Sequence, residues 1–320
     1  MKGKRRPKAR GYTGEDPEGA LRMNLFLQRQ KHVRLVRIAI PAFIILFVTI
    51  SALFLSLVHP FRPIANILLY HSIAAQGGGT DPLIIDKKLF ARQMQYLSKH
   101  GYETVFLSTV VQKHKTGKKI PDQWVVLTFD DSRKDFYDQV YPVLKEYGLK
   151  ATLFISPRRL EPSDEFCTWA QLKEIKNSGL VEIGAHGLYH DPLTRLAPPE
   201  AKERIRRSKA VLEEKLGTRI DLFAYPYGAL DGQVKEMVKA AGYEAAVGTV
   251  YPRGKFKIRD IYNMRRVHVS EISRYPFMFR FMLSGYYVPI RGLLLRLMGI
   301  DTPRDVAAWN PWTNSVFSDE

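Results

Sequence analysis

A run of apolar, largely β-branched residues, Trp124-Val125-Val126-Leu127-Thr128-Phe129, ends without a break in two carboxylates, Asp130 and Asp131. This is the pattern of a buried parallel strand that delivers charged side chains to the mouth of a sheet or barrel. Adjacent carboxylates repel each other unless a cation or a shared proton separates their roles, and a metal ligand beside a general base would settle the conflict. Further on, the short apolar stretch Val181-Glu182-Ile183-Gly184-Ala185 leads into His186 and His190. Imidazole and carboxylate together suit zinc or a similar divalent ion. An isolated His-x-x-x-His pair reads more readily as two polar loop histidines. The Asp pair upstream and an Ala224-Tyr225-Pro226-Tyr227-Gly228 turn downstream reverse that preference.

Strand and helix patterns alternate around these motifs. Residues 64–72 read as a buried strand ending in Tyr70-His71, and residues 86–100 as a helix stopping at Gly101. Residues 102–111 read as a further strand and edge segment. After the Asp pair come a helix over 136–147, a strand over 151–155 and a helix over 169–177. Beyond the histidines lie a long charged helix over 199–216, a strand over 220–224, a helix over 233–241, and strands over 244–248 and 266–269. Gly77-Gly78-Gly79 reads as a mobile loop. Repeated β then α implies a parallel sheet with right-handed crossovers, either open or closed into a barrel. The motifs sit at strand ends, where both architectures bind ligands. A chain of 320 residues that is 45% hydrophobic can bury one large core, and its single cysteine, Cys167, excludes an internal disulfide.

The N-terminal region is of another kind. Residues 1–37 hold eleven Lys or Arg against three acids, which fits a disordered basic tail, a nucleic-acid-binding arm or a topogenic segment. The stretch 38–58 decides among these: it is uncharged, rich in Ile, Leu, Phe and Val, and about as long as a bilayer core requires. The expectation is a retained signal anchor with a cytoplasmic N-terminus, a linker over 59–65 containing Pro60 and Pro63, and the rest of the chain outside the cytoplasm. A cleaved signal peptide competes, but the basic region is long and no Ala-x-Ala-like site follows. No nucleic-acid partner is expected on this reading.

Thr-Phe-Asp-Asp, His-x-x-x-His and Tyr-Pro-Tyr-Gly, in that order on successive strand ends, resemble the polysaccharide deacetylase family, the NodB-like domain of carbohydrate esterase family 4. The resemblance covers about residues 66–270, with 271–320 as a C-terminal helical extension and tail. It implies an α/β fold, a distorted (β/α) barrel of about seven parallel strands, preceded here by one transmembrane helix. It also implies a divalent metal, Zn2+ or a relative, held by Asp131, His186 and His190, with Asp130 as general base and the backbone N–H of Tyr227 completing an oxyanion site. For the general acid, His71 matches a Tyr-His motif of the exopolysaccharide-acting subgroup and is preferred; His268, in Arg266-Val267-His268-Val269, is the rival.

Three positions depart from the family pattern: Ser132 where a Gly commonly follows the Asp pair, Gly187 in place of a Ser or Thr, and Ala224 in place of an Arg that orients the base in many members. None removes a proposed ligand or the base. The apolar stretch 275–300 reads as a pair of helices covering the barrel, with a membrane-surface segment as the alternative. The expected function is membrane-anchored, metal-dependent removal of N-acetyl groups from an N-acetylhexosamine polymer of an exopolysaccharide or envelope, with glycan synthesis or export machinery as a partner. An O-deacetylase, a hydrolase of non-sugar amides and a silent glycan-binding scaffold are the alternatives.

Overall fold

The computed structural model describes residues 17–58, 65–75, 81, 83–160, 163–248, 260–287 and 290–291. The chain divides into two compact units, 1–57 and 58–320. In the first, helix α1 (Pro17–Val58) begins well before the apolar stretch, because the preceding residues include good helix formers such as Leu, Met, Gln and Arg. Its window Val36–Phe54 has a mean hydropathy of 2.3 and is long enough to cross a membrane. Residues 59–64, which carry the expected proline linker, and the Gly77-Gly78-Gly79 loop lie outside the described residues.

The second unit is a half-barrel of parallel strands: β1 (Asn66–Tyr70), β2 (Ser72–Ala74), β3 (Ile84–Asp86), β4 (Glu103–Thr104), β5 (Trp124–Phe129), β6 (Ala151–Ile155), β7 (Val181–Ala185), β8 (Leu222–Ala224), β9 (Ala245–Val247) and β10 (Val267–His268). Seven of them run in the order β10-β1-β5-β6-β7-β8-β9, with β4 added beside β5, while β2 and β3 form a separate pair. Helices α2 (Lys87–Lys99), α3 (Leu107–Lys115), α4 (Tyr141–Tyr147), α5 (Trp169–Asn177), α6 (Pro198–Leu216), α7 (Gly232–Ala240) and α8 (Pro276–Leu283) complete it. Local signals set several of their ends. The Asp86 carboxylate accepts from the N–H groups of Lys88 and Leu89 to start α2, and Thr168 and Gln171 form a capping box on α5.

Side chains alternate along each strand and so build two cores. Leu68, Val125, Leu127, Leu153 and Ile183 point outward into the layer shared with the helices. Ile67, Val126, Phe154, Leu222, Ala224 and Val247 fill the barrel interior. Gly184 leaves the space for Phe154: a Cβ there would lie 2.5 Å from the ring. In β5 the inward series Val126, Thr128 continues to Asp130, so strand alternation itself aims that carboxylate into the mouth of the barrel.

One expected strand is a helix. Over 102–111 only Glu103–Thr104 pairs, and α3 follows from Leu107. The Val- and Thr-rich composition favours a strand, but Leu107, Val110 and Val111 are spaced for one helical face, and they are buried in the interior core. The barrel also caps this helix. Thr152 Oγ1 accepts from Leu107 N–H at 3.3 Å and Glu182 Oε1 from Ser108 N–H at 3.2 Å. At the chain's other end α8 buries Phe279, Met282 and Leu283 against the outer core, and Asn66 Nδ2 donates to Leu283 O at 2.8 Å. This is the covering role expected for the start of 275–300; residues 292–320, with Trp309 and Trp312, lie outside the described residues.

Candidate active site

The chain leaves β5 through a strained turn. Asp131 (φ 70°) and Ser132 (φ 51°) both take left-handed backbone, which accounts for the usefulness of a glycine after the Asp pair. The turn is held from the segment before α5: Cys167 N–H donates to Ser132 O at 3.0 Å and Lys134 N–H to Glu165 O at 2.8 Å. Burial pushes the Cys167 thiol up to about 12, so this lone cysteine is a packing residue and not a nucleophile. Asp135, at the end of the same turn, accepts hydrogen bonds from Ser72 Oγ and from Ile73 N–H, the two residues after His71. The Asp-pair loop and the His71 loop are thereby tied together.

The histidine loop is fixed as tightly. Ser156 Oγ donates to His186 O at 2.5 Å, and Ser208 Oγ, from α6, to Gly187 O at 2.8 Å. Gly187 has φ 72°, and a Cβ there would stand 3.1 Å from Pro226 Cγ, so the missing hydroxyl is the consequence of a turn only glycine adopts without strain. His186 Nδ1 lies 2.8 Å from Ala224 O. A backbone carbonyl can only accept, so Nδ1 carries a proton and Nε2 is the ring nitrogen turned to the Asp pair. His190 Nε2 approaches Asp131 Oδ1 at 3.2 Å, and His186 Nε2 approaches the same oxygen at 3.9 Å. One donor atom from each of Asp131, His186 and His190 lies within 4.8 Å of the others. Burial lowers His190 to about 3, against the pull of Asp131, so the ring is neutral as a ligand must be. Two imidazoles and one carboxylate converging in this way fit a divalent ion such as zinc.

Asp130 is held by a residue that sequence reasoning missed. Arg266, fully buried, forks onto it with Nη1 to Oδ1 at 2.7 Å and Nη2 to Oδ2 at 2.8 Å, and donates from Nε to Gly248 O at 3.0 Å. Burial alone would raise the Asp130 carboxyl, but the Arg266 guanidinium and then His186 outweigh it and hold it well below the usual carboxylate range. The available signal was alternation: over the expected strand 266–269, Val267 and Val269 face the outer core, so Arg266 faces inward, and a charge on an inward face requires a partner. Arg159 was missed as well. Its Nη1 lies 3.2 Å from Asp131 Oδ1, the oxygen that also faces the histidines.

The two rival acid residues are neighbours. β1 and β10 pair with Leu69 opposite His268, and the rings of His71 and His268 stand 5.2 Å apart. Burial lowers both, His268 to about 3 and His71 against the pull of Asp130 and Asp131. His71 Nδ1 and His268 Nε2 are buried without a hydrogen-bond partner, an arrangement that a ligand's polar groups would relieve. Tyr227 (φ 56°, ψ 8°) occupies the Pro226–Gly228 turn with its ring 4.5 Å from that of His190. Among the described residues the non-glycine positions with positive φ are Asp131, Ser132, His190 and Tyr227, all of them in this site. Strain concentrated in this way is characteristic of functional positions.

A polysaccharide deacetylase family model matches residues 117–246. The Bacillus subtilis protein YxkH is 30% identical over 204 residues, which cover 64% of this chain and 71% of that protein. The Escherichia coli poly-beta-1,6-N-acetyl-D-glucosamine N-deacetylase is 26% identical over 216 residues, 55% of this chain but only 32% of that longer enzyme. Among solved structures, the Streptococcus pyogenes deacetylase PplD in complex with acetate aligns with a TM-score of 0.61 at 26% identity, covering 67% of this chain and 96% of the other. With its half-barrel, its Asp pair and its two histidines in family order, the chain belongs to the polysaccharide deacetylase family.

Proposed function

We propose that this protein is a membrane-anchored, metal-dependent deacetylase that removes N-acetyl groups from an N-acetylhexosamine polymer outside the cytoplasm. The observation that carries the reading is the Asp131, His186 and His190 donor group standing beside an Asp130 that Arg266 keeps ionised. The name of the Escherichia coli relative supports a poly-N-acetylglucosamine substrate. The span Val36–Phe54 with its basic flank supports an anchor with the N-terminus in the cytoplasm. Protease added to intact cells should then release the catalytic unit, and full protection would refute that topology.

Asp131, His186 and His190 would hold the ion. When bound, it supplies Lewis acidity for an amide carbonyl and for water. The chain's own groups do the rest. Asp130, ionised and fixed by two hydrogen bonds, accepts the proton of an attacking water. The Tyr227 backbone N–H donates to the oxygen on which charge develops. His71, with His268 beside it, passes to the departing amine the proton that Asp130 took from the water; in both rings burial disfavours a standing positive charge, so the proton is carried only in passing.

The test is acetate release from N-acetylglucosamine oligomers, with and without added zinc, beside Asp130→Asn. Zinc-dependent release that falls at least a thousandfold in the variant, with metal binding retained, is the expected result. Metal binding without release from any glycan would redirect the reading to an O-acetyl or non-sugar amide substrate. Failure to bind metal would leave a silent scaffold.

A further inference from the structure

In the catalytic unit the exposed large hydrophobic side chains among the described residues are Tyr189, Ile272, Tyr275 and Phe277. Three cluster at the start of α8 and just before it. The fourth stands alone between the two histidines of the candidate metal group, with 46% of its surface in solvent. A single exposed aromatic needs no explanation in general. Tyr189 is distinguished by how firmly it is held there. Leu188, just before it, is buried, and its carbonyl accepts from Arg158 N–H at 3.0 Å. His190, just after it, is fixed in left-handed backbone. The Arg204 guanidinium lies against the Tyr189 ring, 5.1 Å from its centroid. Arg204 is itself pinned between the Asp191 and Glu200 carboxylates.

We propose that Tyr189 is a stacking platform for a pyranose ring of the substrate, resting on the deacetylase reading above for the identity of the glycan. A sugar presents an apolar C–H face to which the negative face of an aromatic ring is complementary, and a tyrosine already held in one orientation loses little freedom when a ligand arrives. The backbone of Tyr189 is one Cα step, about 3.8 Å, from that of His190, and Arg204, which lies against its ring, is held by Asp191, the residue after His190, so the platform stands on the loop that carries this candidate ligand. Arg204 acts through Tyr189 as a positioning residue: with two carboxylates on its guanidinium it braces the tyrosine.

The experiment compares Tyr189→Ala, Tyr189→Phe and Arg204→Gln in two assays on the whole chain: kcat/KM for an N-acetylglucosamine oligomer against an aryl acetate, and oligomer binding by the Asp130→Asn protein. In the alanine variant the ratio of oligomer to aryl acetate kcat/KM should fall about tenfold and oligomer binding should weaken about as much, the loss of one stacked ring. Phenylalanine should stay within about twofold of the parent, since it keeps the ring, and Arg204→Gln should fall between. An unchanged ratio in the alanine variant, a phenylalanine variant as poor as alanine, or a parent that binds no oligomer would each overturn the platform. Oligomer binding that depends on Tyr189 without acetate release would uphold the platform and refute the reaction instead.

Discussion

The Arg266 fork is the feature of this site whose removal has the most calculable consequence. Arg266 is fully buried, Asp130 nearly so, and two hydrogen bonds of 2.7 and 2.8 Å join them. With charge centres about 4 Å apart, Coulomb attraction at an effective dielectric constant near 20 is about 4 kcal/mol. Breaking one side of a buried pair typically costs about 3–5 kcal/mol, chiefly because the surviving charge is stranded. Arg266→Gln should therefore lower unfolding free energy by about 3–5 kcal/mol at pH 7. Asp130→Asn in the same chain removes the stranded charge, so the double variant should recover at least about 2 kcal/mol relative to the sum of the single losses. The sign with pH follows from the depressed Asp130 carboxyl. Its contribution is complete above the ordinary carboxylate pKa of about 4 and is lost only as pH falls through the lower folded value. The gap between parent and Arg266→Gln should be widest at neutral pH and narrow below about pH 4, where protonation neutralises the stranded carboxylate. Urea unfolding of the whole chain, followed by circular dichroism at several pH values, measures all of this. A loss below about 1 kcal/mol, or strictly additive single losses, would refute the argument that Asp130 depends on this arginine.

Glu182 reports on the opposite end of the barrel. Burial raises its carboxyl despite hydrogen bonds from Ser108 and Thr152, so ionising it weakens the fold as pH rises from the unfolded value near 4.3 to the higher folded one. Glu182→Gln keeps the acceptor for Ser108 N–H and Thr152 Oγ1; it should raise stability by about 1 kcal/mol at pH 7 and give no gain below about pH 4, as read from thermal unfolding at the two pH values. Gly187→Ser places a family-typical residue at φ 72° with its Cβ 3.1 Å from Pro226 Cγ, and should cost about 1–3 kcal/mol in denaturant unfolding. A neutral outcome would mean that the histidine turn relaxes without strain.

What the sequence reveals and what it hides divide along a physical line. Asp130, Asp131, His186, His190 and Tyr227 stand at the ends of apolar strands or in the turns just beyond them, so strand periodicity places them at one edge of a parallel sheet, and the family resemblance supplies the barrel. The residues that hold them are remote in sequence: Arg266 is 136 positions from Asp130, Asp135 63 from Ser72, and Ser208 21 from Gly187. Helix α3 was hidden for a related reason, since the groups that cap it, Thr152 and Glu182, come from strands 45 and 74 residues away. The clearest case is Ala224. Its side chain looks like a lost base-orienting arginine, yet the function at that position that survives is in the backbone, where the carbonyl fixes His186 and any residue would serve. The charge is supplied instead from the far side of the sheet. β9 and β10 end the strand order, the segment before β10 hydrogen-bonds back to β9 through Met264 and Ala246, and Arg266 adds a side-chain link to Gly248 O while both of its terminal nitrogens reach Asp130. One buried guanidinium thus joins the margin of the sheet beyond β9 to the orientation of its base, and strengthening either link should constrain the other.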